Sequence, residues 1–438
     1  MAGATISLKV ATAVSLGAII GAGIFVLSGA AISVSGPYSV VAFILVGIIM
    51  LMVALQLGEL GSIMPSQKGA SYSYANIAFG SELGFIIGIM LFFAFSTEIS
   101  VVSLGFGSYL ASLLGLGTVF AIPFAILLIA ALSLVNIIGI SKAAKADFAL
   151  VVVKIFILIL FIIFGAYLAF GRNPDAISNI TTAAGSYGLS SIFAASVAIV
   201  FAYAGFQSVS SFTGSVKGGS MTAAKAIIYS VVISMVLYTL VTVVLMLMVP
   251  VASYKLTGDP LSFALKSIHA PEWLFAAVDI AALIATASAA LASILYSSRL
   301  LYQIGKDKLL PEFTRRFDDS RDVAVNGVII TSVIGVIMLF AGNIYTIASI
   351  SNVGLFIAYL MVSFALIHFR RKGIRAKFRT PFYPYISVIT IIALLVLFVG
   401  MPREALIIGM TLILSLMIIY YFLREANGKK PMHVKLFK

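Results

Sequence analysis

Long stretches of the 438-residue chain carry no Asp, Glu, Lys or Arg: Val10 to Gly58, Ile99 to Ser141, Ala176 to Val216, and Val323 to Phe369. A helix crosses the ~30 Å hydrocarbon core of a bilayer with ~20 apolar residues, so most of these stretches hold two spans. Turn-forming residues mark the divisions at Ser35-Gly36-Pro37, Leu116-Gly117-Thr118 and Ala341-Gly342-Asn343. The stretch from Ala176 is a polar Ser/Thr/Gly loop that leads into a single span. The pattern predicts spans 1 to 12 over residues 8–33, 38–63, 83–112, 118–139, 147–169, 189–213, 223–250, 271–303, 323–341, 345–369, 384–401 and 404–423.

Composition agrees with this reading. Charged residues make up 10% of the chain, hydrophobic residues 62%, and mean hydropathy is +1.16, whereas soluble chains carry roughly 25% charged residues. Charge then orients the spans. With Lys and Arg assigned to alternate sides of twelve spans, Arg172, Lys255, Lys266 and Arg403 fall on one side and Lys154 falls inside span 5. The rest of the 28 fall on the side that holds both termini. Positive-inside bias makes that side the cytoplasm of a cell-membrane protein. The net +13 is therefore topology charge, and no nucleic-acid partner is expected. The cluster Arg370 to Arg379 invites an anionic-lipid or nucleotide site, but the same topology rule accounts for it. The first apolar run is long and continues as a span, so no cleavable signal peptide is expected. Cysteine is absent, and His269, His368 and His433 are scattered, so neither thiolate chemistry nor a metal centre is expected. No cofactor is expected either.

Two spans contain what an apolar rod avoids. Span 1 carries Gly17-Ala18-Ile19-Ile20-Gly21-Ala22-Gly23-Ile24-Phe25, and span 6 carries Phe201-Ala202-Tyr203-Ala204-Gly205-Phe206-Gln207-Ser208. Glycines loosen a helix and expose backbone groups, which hydrocarbon tolerates only where the backbone is buried in protein or lines a cavity. Freed N–H groups suit a carboxylate, and freed carbonyls suit an ammonium or a cation. Close helix packing is the competing reading of either segment alone. Their placement separates the two readings. Spans 1 and 6 open two five-span blocks that enter the membrane from opposite sides, an inverted repeat in which paired interrupted helices point to a transport site. The blocks are residues 1–170 and 171–383. Spans 11 and 12 (384–423) then pack peripherally or form a homodimer face, and a basic cytoplasmic tail covers 424–438.

At these residues the chain resembles the amino acid–polyamine–organocation superfamily of permeases. The resemblance runs from about Val10 to Arg379. It rests on Ile20 to Phe25, on Gly58-Glu59-Leu60 with Pro65 and Gly69-Ala70-Ser71-Tyr72-Ser73-Tyr74, on Phe201 to Phe206, and on Arg299-Leu300-Leu301-Tyr302 with Lys306-Asp307 and Leu310-Pro311. It implies a LeuT-type fold and secondary amino-acid transport by alternating access. It further implies that the Gly21, Ala22 and Gly23 amides receive the substrate carboxylate. Carbonyls around Ile19, Ile20, Phe201, Ala202 and Ala204 would receive the ammonium beside Gly205, with the Phe201 ring as a gate. Many relatives place Asp or Glu where this chain has Gln207, so the proton-sensing role of that acid does not transfer.

Charges within the spans complete the picture. Lys154 lies about 10 Å into span 5 at 1.5 Å per residue. It either snorkels to the interface or serves function, since a charge at a span centre costs at least ~2.5 kcal/mol. The resemblance favours function: some proton-coupled relatives hold a lysine there in place of a sodium ion, with Thr286 and Ser288 of span 8 as its expected neighbours. Glu98, deep in span 3, is a second proton site, a counter-charge for a basic substrate, or a structural partner of another polar residue. Glu59 is expected to be structural, and Asp279 to face an aqueous vestibule. No cluster of His, Asp, Glu or Cys supports an enzyme, and no repeated polar stripe supports a channel. The reading is an amino-acid transporter coupled to protons, or an amino-acid or polyamine exchanger of the same superfamily.

Overall fold

A computed structural model describes residues 7–64, 70–138, 143–181, 185, 187–206, 216–256 and 258–426. The first half comprises α1 (Leu8–Ile19), α2 (Ala22–Ser35), α3 (Ser39–Ile63), α4 (Ala70–Phe79), α5 (Ser81–Leu113), α6 (Ala121–Ile138), α7 (Ala143–Arg172) and the single turn α8 (Ser178–Thr181). The second comprises α9 (Ser190–Tyr203), α10 (Gly219–Met248), α11 (Pro260–Ser267), α12 (Glu272–Lys306), α13 (Val325–Met338), α14 (Ile344–Arg371), α15 (Tyr385–Val399) and α16 (Arg403–Ala426). The molecule is an all-helical polytopic membrane protein. Eight helical segments among the described residues are long and apolar enough to cross a bilayer, and α1, α9, α13 and α15 are apolar but shorter.

The interruptions read in spans 1 and 6 are present, and two short helices depart from the sequence pattern. Span 1 is two helices, α1 and α2, and span 6 is helical only to Tyr203 before the chain turns at Ala204–Gly205. The helix α4 was not anticipated, because Ser71, Tyr72, Ser73, Tyr74 and Asn76 interrupt any apolar run there. The short helix α11 lies where a loop between spans 7 and 8 was expected. Residues 207–213 of span 6, Gln207 among them, lie outside the described residues, as do Pro65, Lys68, Gly69, Lys142 and tail residues 427–438.

Packing follows the chain's small residues. The helix α5 packs against α12, α14 and α6, α10 against α3 and α1, and α2 against α9. Glycines permit these approaches: Gly354 of α14 lies where an added Cβ would sit 2.2 Å from the Met90 carbonyl oxygen of α5. The helices α15 and α16 pack on α14 and leave Val388, Ile392, Val399, Ile407 and Leu414 exposed, a surface suited to lipid.

Candidate functional site

The site is built around two interruptions. At the end of α1, Ile20 N–H still reaches Leu16 O (2.6 Å), but Gly21 N–H folds back onto Ile19 O (2.8 Å). Gly21 has φ −100° and ψ −130°, outside the helical region, and no side chain caps the start of α2. The first N–H groups of α2 and the last carbonyls of α1 therefore lack intrahelical partners. At the other interruption Ala204 leaves the helical region with ψ 155°, and Gly205 takes φ +106°, which favours glycine.

The two interruptions are pressed together. A Cβ on Gly205 would lie 2.6 Å from Ala18 O, and one on Gly23 would lie 2.4 Å from Ala202 Cα. The glycines are thus required by a backbone-to-backbone crossing, and the packing and cavity readings of these segments are both part of the same junction. Tyr238 of α10 donates to Ile19 O at 2.8 Å. Tyr203 donates to Phe43 O at 2.9 Å, which holds the end of α9 to α3.

Beside the junction lies a cavity of about 290 Å³. Gly17, Ala18 and Gly205 form one wall, Glu98, Ser288 and Ser293 another, and it runs along α12 to Tyr296 and Arg299. Arg299 pairs with Asp322 at 2.6 Å, and its side chain is 47% exposed, so the cavity reaches the surface at that end of α12. The rings of Phe95 and Tyr296, 4.5 Å apart, make a rigid apolar wall.

Glu98 Oε1 accepts from Ser293 Oγ at 3.1 Å. Its Oε2 is buried and has no hydrogen-bond partner. A carboxylate oxygen left in that state costs free energy unless a proton or a cation meets it. Lys154 of α7 is fully buried, and its Nζ donates to Ser288 Oγ at 2.6 Å. Ser288 Oγ passes a hydrogen bond to Ala285 O at 3.0 Å. Because Ser288 lines the cavity, the ammonium stands one side chain behind its wall. The snorkelling alternative does not describe this lysine. Thr286 instead donates to Ala282 O of its own helix at 2.7 Å.

Of the residues singled out from sequence, Glu98, Gly205 and Ser288 line the cavity, and Lys154 lies behind it. Ile19, Ile20, Gly21, Gly23, Phe201, Ala202 and Ala204 are buried in the junction itself, and the backbone of Ala22 starts α2. Ile19 O already accepts from both Tyr238 and Gly21. Two participants carry no mark in the sequence: Ser293 is separated from Glu98 by 195 residues, and Tyr238 looks like any aromatic in an apolar span. Asp279 does not face a vestibule: it is fully buried beneath α11. The spacing of Leu261, Ala264, Leu265 and Ile268 after Asp259-Pro260 was the available sign of that helix.

Glu59 holds Arg370 through two hydrogen bonds, 2.6 Å from Nε and 2.8 Å from Nη2, and also accepts from Thr380 N–H at 2.7 Å. Arg370 therefore departs from the topology reading of its cluster and forms a structural ion pair. Among the described residues no group of three or more His, Cys, Asp or Glu could hold a metal ion.

Comparison with known proteins decides the family. A family model described as amino acid permease matches residues 6–423. The chain belongs to that family. As a permease of this family it is not an enzyme, and it transports amino acids or related solutes. The permease is 30% identical to the methylthioribose transporter of Bacillus subtilis (strain 168) over 404 residues, covering 86% of this chain and 84% of the relative. It is also 30% identical to the branched-chain amino acid permease BcaP of Lactococcus lactis subsp. cremoris (strain MG1363) over 418 residues, covering 90% and 88%. The cationic amino acid transporter 3 of Arabidopsis thaliana, described as mitochondrial, is 29% identical over 372 residues, covering 81% and 60%. A solved manganese transporter of Eremococcus coleocola shares the fold, LeuT-like, with a TM-score of 0.63 at 15% identity, covering 96% of this permease and 97% of that chain.

Proposed function

We propose that this permease carries amino acids across the cell membrane in symport with protons, by alternating access around the junction of its two interruptions. Both termini are cytoplasmic in this reading, the chain crosses twelve times, and residues 1–170 and 171–383 form an inverted repeat. One observation carries the coupling. Two ionisable side chains from different helices, Glu98 of α5 and Lys154 of α7, each bond a serine of α12. Those serines line the cavity that touches both chain breaks. A proton gained or lost at either residue changes what α12 can hold there, next to the substrate.

The substrate itself is placed by backbone electrostatics. The carbonyl end of α1 faces the cavity at Gly17 and Ala18, where a helix carries partial negative charge, and Glu98 adds to it. That wall suits the ammonium. Gly21 N–H is held by Ile19 O, and the uncapped amides of Ala22 and Gly23 at the start of α2 suit the carboxylate.

The test is uptake of radiolabelled amino acids into proteoliposomes, with and without an inward proton gradient and with sodium omitted. Branched-chain and cationic amino acids head the panel because the named relatives carry those labels. Uptake is expected to rise with the gradient and to need no sodium. Lys154→Ala is expected to abolish gradient-driven uptake while retaining some exchange. Full gradient-driven uptake in that variant would remove Lys154 from the mechanism. Uptake that needs preloaded amino acid would make the protein an exchanger.

A further inference from the structure

The uptake mechanism leaves one buried acid unused. Asp279 lies two turns into α12, at the opposite end from Arg299, and is fully buried. Its Oδ2 accepts from Ser262 Oγ of α11 at 3.3 Å, and its Oδ1 is buried with no hydrogen-bond partner. The charged and titratable groups facing it are Lys266 on α11, Asp259 just before α11, and Tyr109 on α5. Tyr109 is committed to Phe25 O at 2.5 Å. Lys266 does not reach the carboxylate, because it donates to Ser112 O and Ser112 Oγ at 2.9 and 2.8 Å. Ser112 Oγ is in turn 2.7 Å from Ser262 Oγ. A row of polar groups thus runs from the exposed ammonium through two hydroxyls to a sealed carboxylate.

The helix α11 is what seals it. Leu261, Ser262, Ala264 and Leu265 are all buried, and Pro260 packs so closely on Gly29 of α2 that an added Cβ there would lie 2.6 Å away. So α11 bridges α12 and the second half of broken span 1, the half that must move if the site is to open on this side. With α11 seated, an ionised Asp279 keeps one charged oxygen buried without a donor, a state far costlier than the neutral acid. With α11 lifted, water reaches both oxygens.

We propose that Asp279 is a proton-binding site opening to the outside, and that seating α11 over α2 takes up a proton there. The proton comes from external water while α11 is raised and leaves to the same side when it rises again, so the site links external acidity to closure of the outer face. This goes beyond the coupling assigned to Glu98 and Lys154. It rests on the outward placement of α11 but not on which solute or ion is carried.

The chain has no cysteine, so single reporters are clean. Ala264→Cys lies under α11 and Ser267→Cys on its exposed side. Both are labelled on intact cells with a membrane-impermeant maleimide, and the ratio of their rates is followed from ~pH 5.5 to ~pH 8, where an acid bound in one state and ionised in the other produces its linkage. The ratio Ala264→Cys over Ser267→Cys is expected to rise several-fold with pH in the parent and to stay at its acid value throughout in Asp279→Asn. A ratio flat in the parent, or rising equally in Asp279→Asn, would overturn the proposal. Ser262→Ala provides an independent arm. It removes the one donor that an ionised Asp279 has in the seated state, so the ratio should exceed that of the parent at ~pH 8 and match it at ~pH 5.5; an unchanged profile overturns the proposal as well. If Ser267→Cys does not label from outside, the outward placement falls and this proposal with it, whereas a flat ratio overturns the proposal alone.

Discussion

Ile19 ends α1 with both lone pairs of its carbonyl oxygen engaged, one by Tyr238 Oη and one by Gly21 N–H, each at 2.8 Å. An ammonium seeking that oxygen must displace one of them, and the hydroxyl is the easier to displace because Gly21 N–H is fixed by the turn. If the substrate ammonium is received at this carbonyl, Tyr238 is its stand-in at the break. Tyr238→Phe removes the donor and keeps the ring packing against Tyr203 and Phe43. A net hydrogen bond is worth about 1 kcal/mol, so the expected outcome is a KM lower by roughly fivefold with little change in detergent thermal stability. A raised KM would mean that the hydroxyl orients the break instead of competing at it. The same residue-level view separates what was legible. Gly205 and Gly23 announce the break because only glycine fits where Ala18 O and Ala202 Cα approach. Tyr238 and Ser293 carried no mark, since the partner of each lies far away in sequence.

At the scale of elements, the end of α3 and the end of α14 are joined by a buried ion pair. Glu59 is 1% exposed and Arg370 19%. The carboxylate is satisfied by two guanidinium donors and by Thr380 N–H. Arg370 also lies over the Tyr383 ring at 4.6 Å. The residues after α14 are therefore folded back onto α3, where Ser62 Oγ accepts from Lys377 and Phe378 N–H at 2.9 and 3.1 Å. Removing one partner of a buried pair leaves the other charge uncompensated, at about 3–5 kcal/mol. Glu59→Gln is expected to lower the unfolding temperature sharply in detergent, and Glu59→Gln with Arg370→Gln should recover part of the loss; a double variant no better than the single would deny the coupling. Sequence pattern located α3 and α14 within a few residues because both are apolar and bounded by charge or turn residues. It missed α4 and α11, which are amphipathic, 10 and 8 residues long, and stabilised by what they lie on. It could read Glu59 as structural but not name Arg370, which sits 311 residues away inside a basic cluster that had another explanation.

For the whole molecule, the proposed inverted repeat makes the two broken elements equivalent and opposed. Their contact at Ala18 and Gly205 brings the two backbone interruptions together, as the proposed inverted repeat would at the membrane midplane. The requirement is strict: the chain must enter α1 from one side of the membrane and α9 from the other. Positive-inside bias assigns Lys9, at the start of α1, to the cytoplasm, and an odd number of crossings then sends Leu189, just before α9, outside. Both residues are exposed, and the cysteine-free chain allows each to be replaced singly. Leu189→Cys is expected to react with an impermeant maleimide on intact cells, and Lys9→Cys only after the membrane is opened. Labelling of both from the same side would require an even number of crossings between them. The meeting of Ala18 with Gly205 would then be close packing without symmetry, the amides of α2 and the carbonyls of α1 would lose their matched partners in the second half, and the substrate placement would have to be rebuilt on Glu98 and the α12 serines alone.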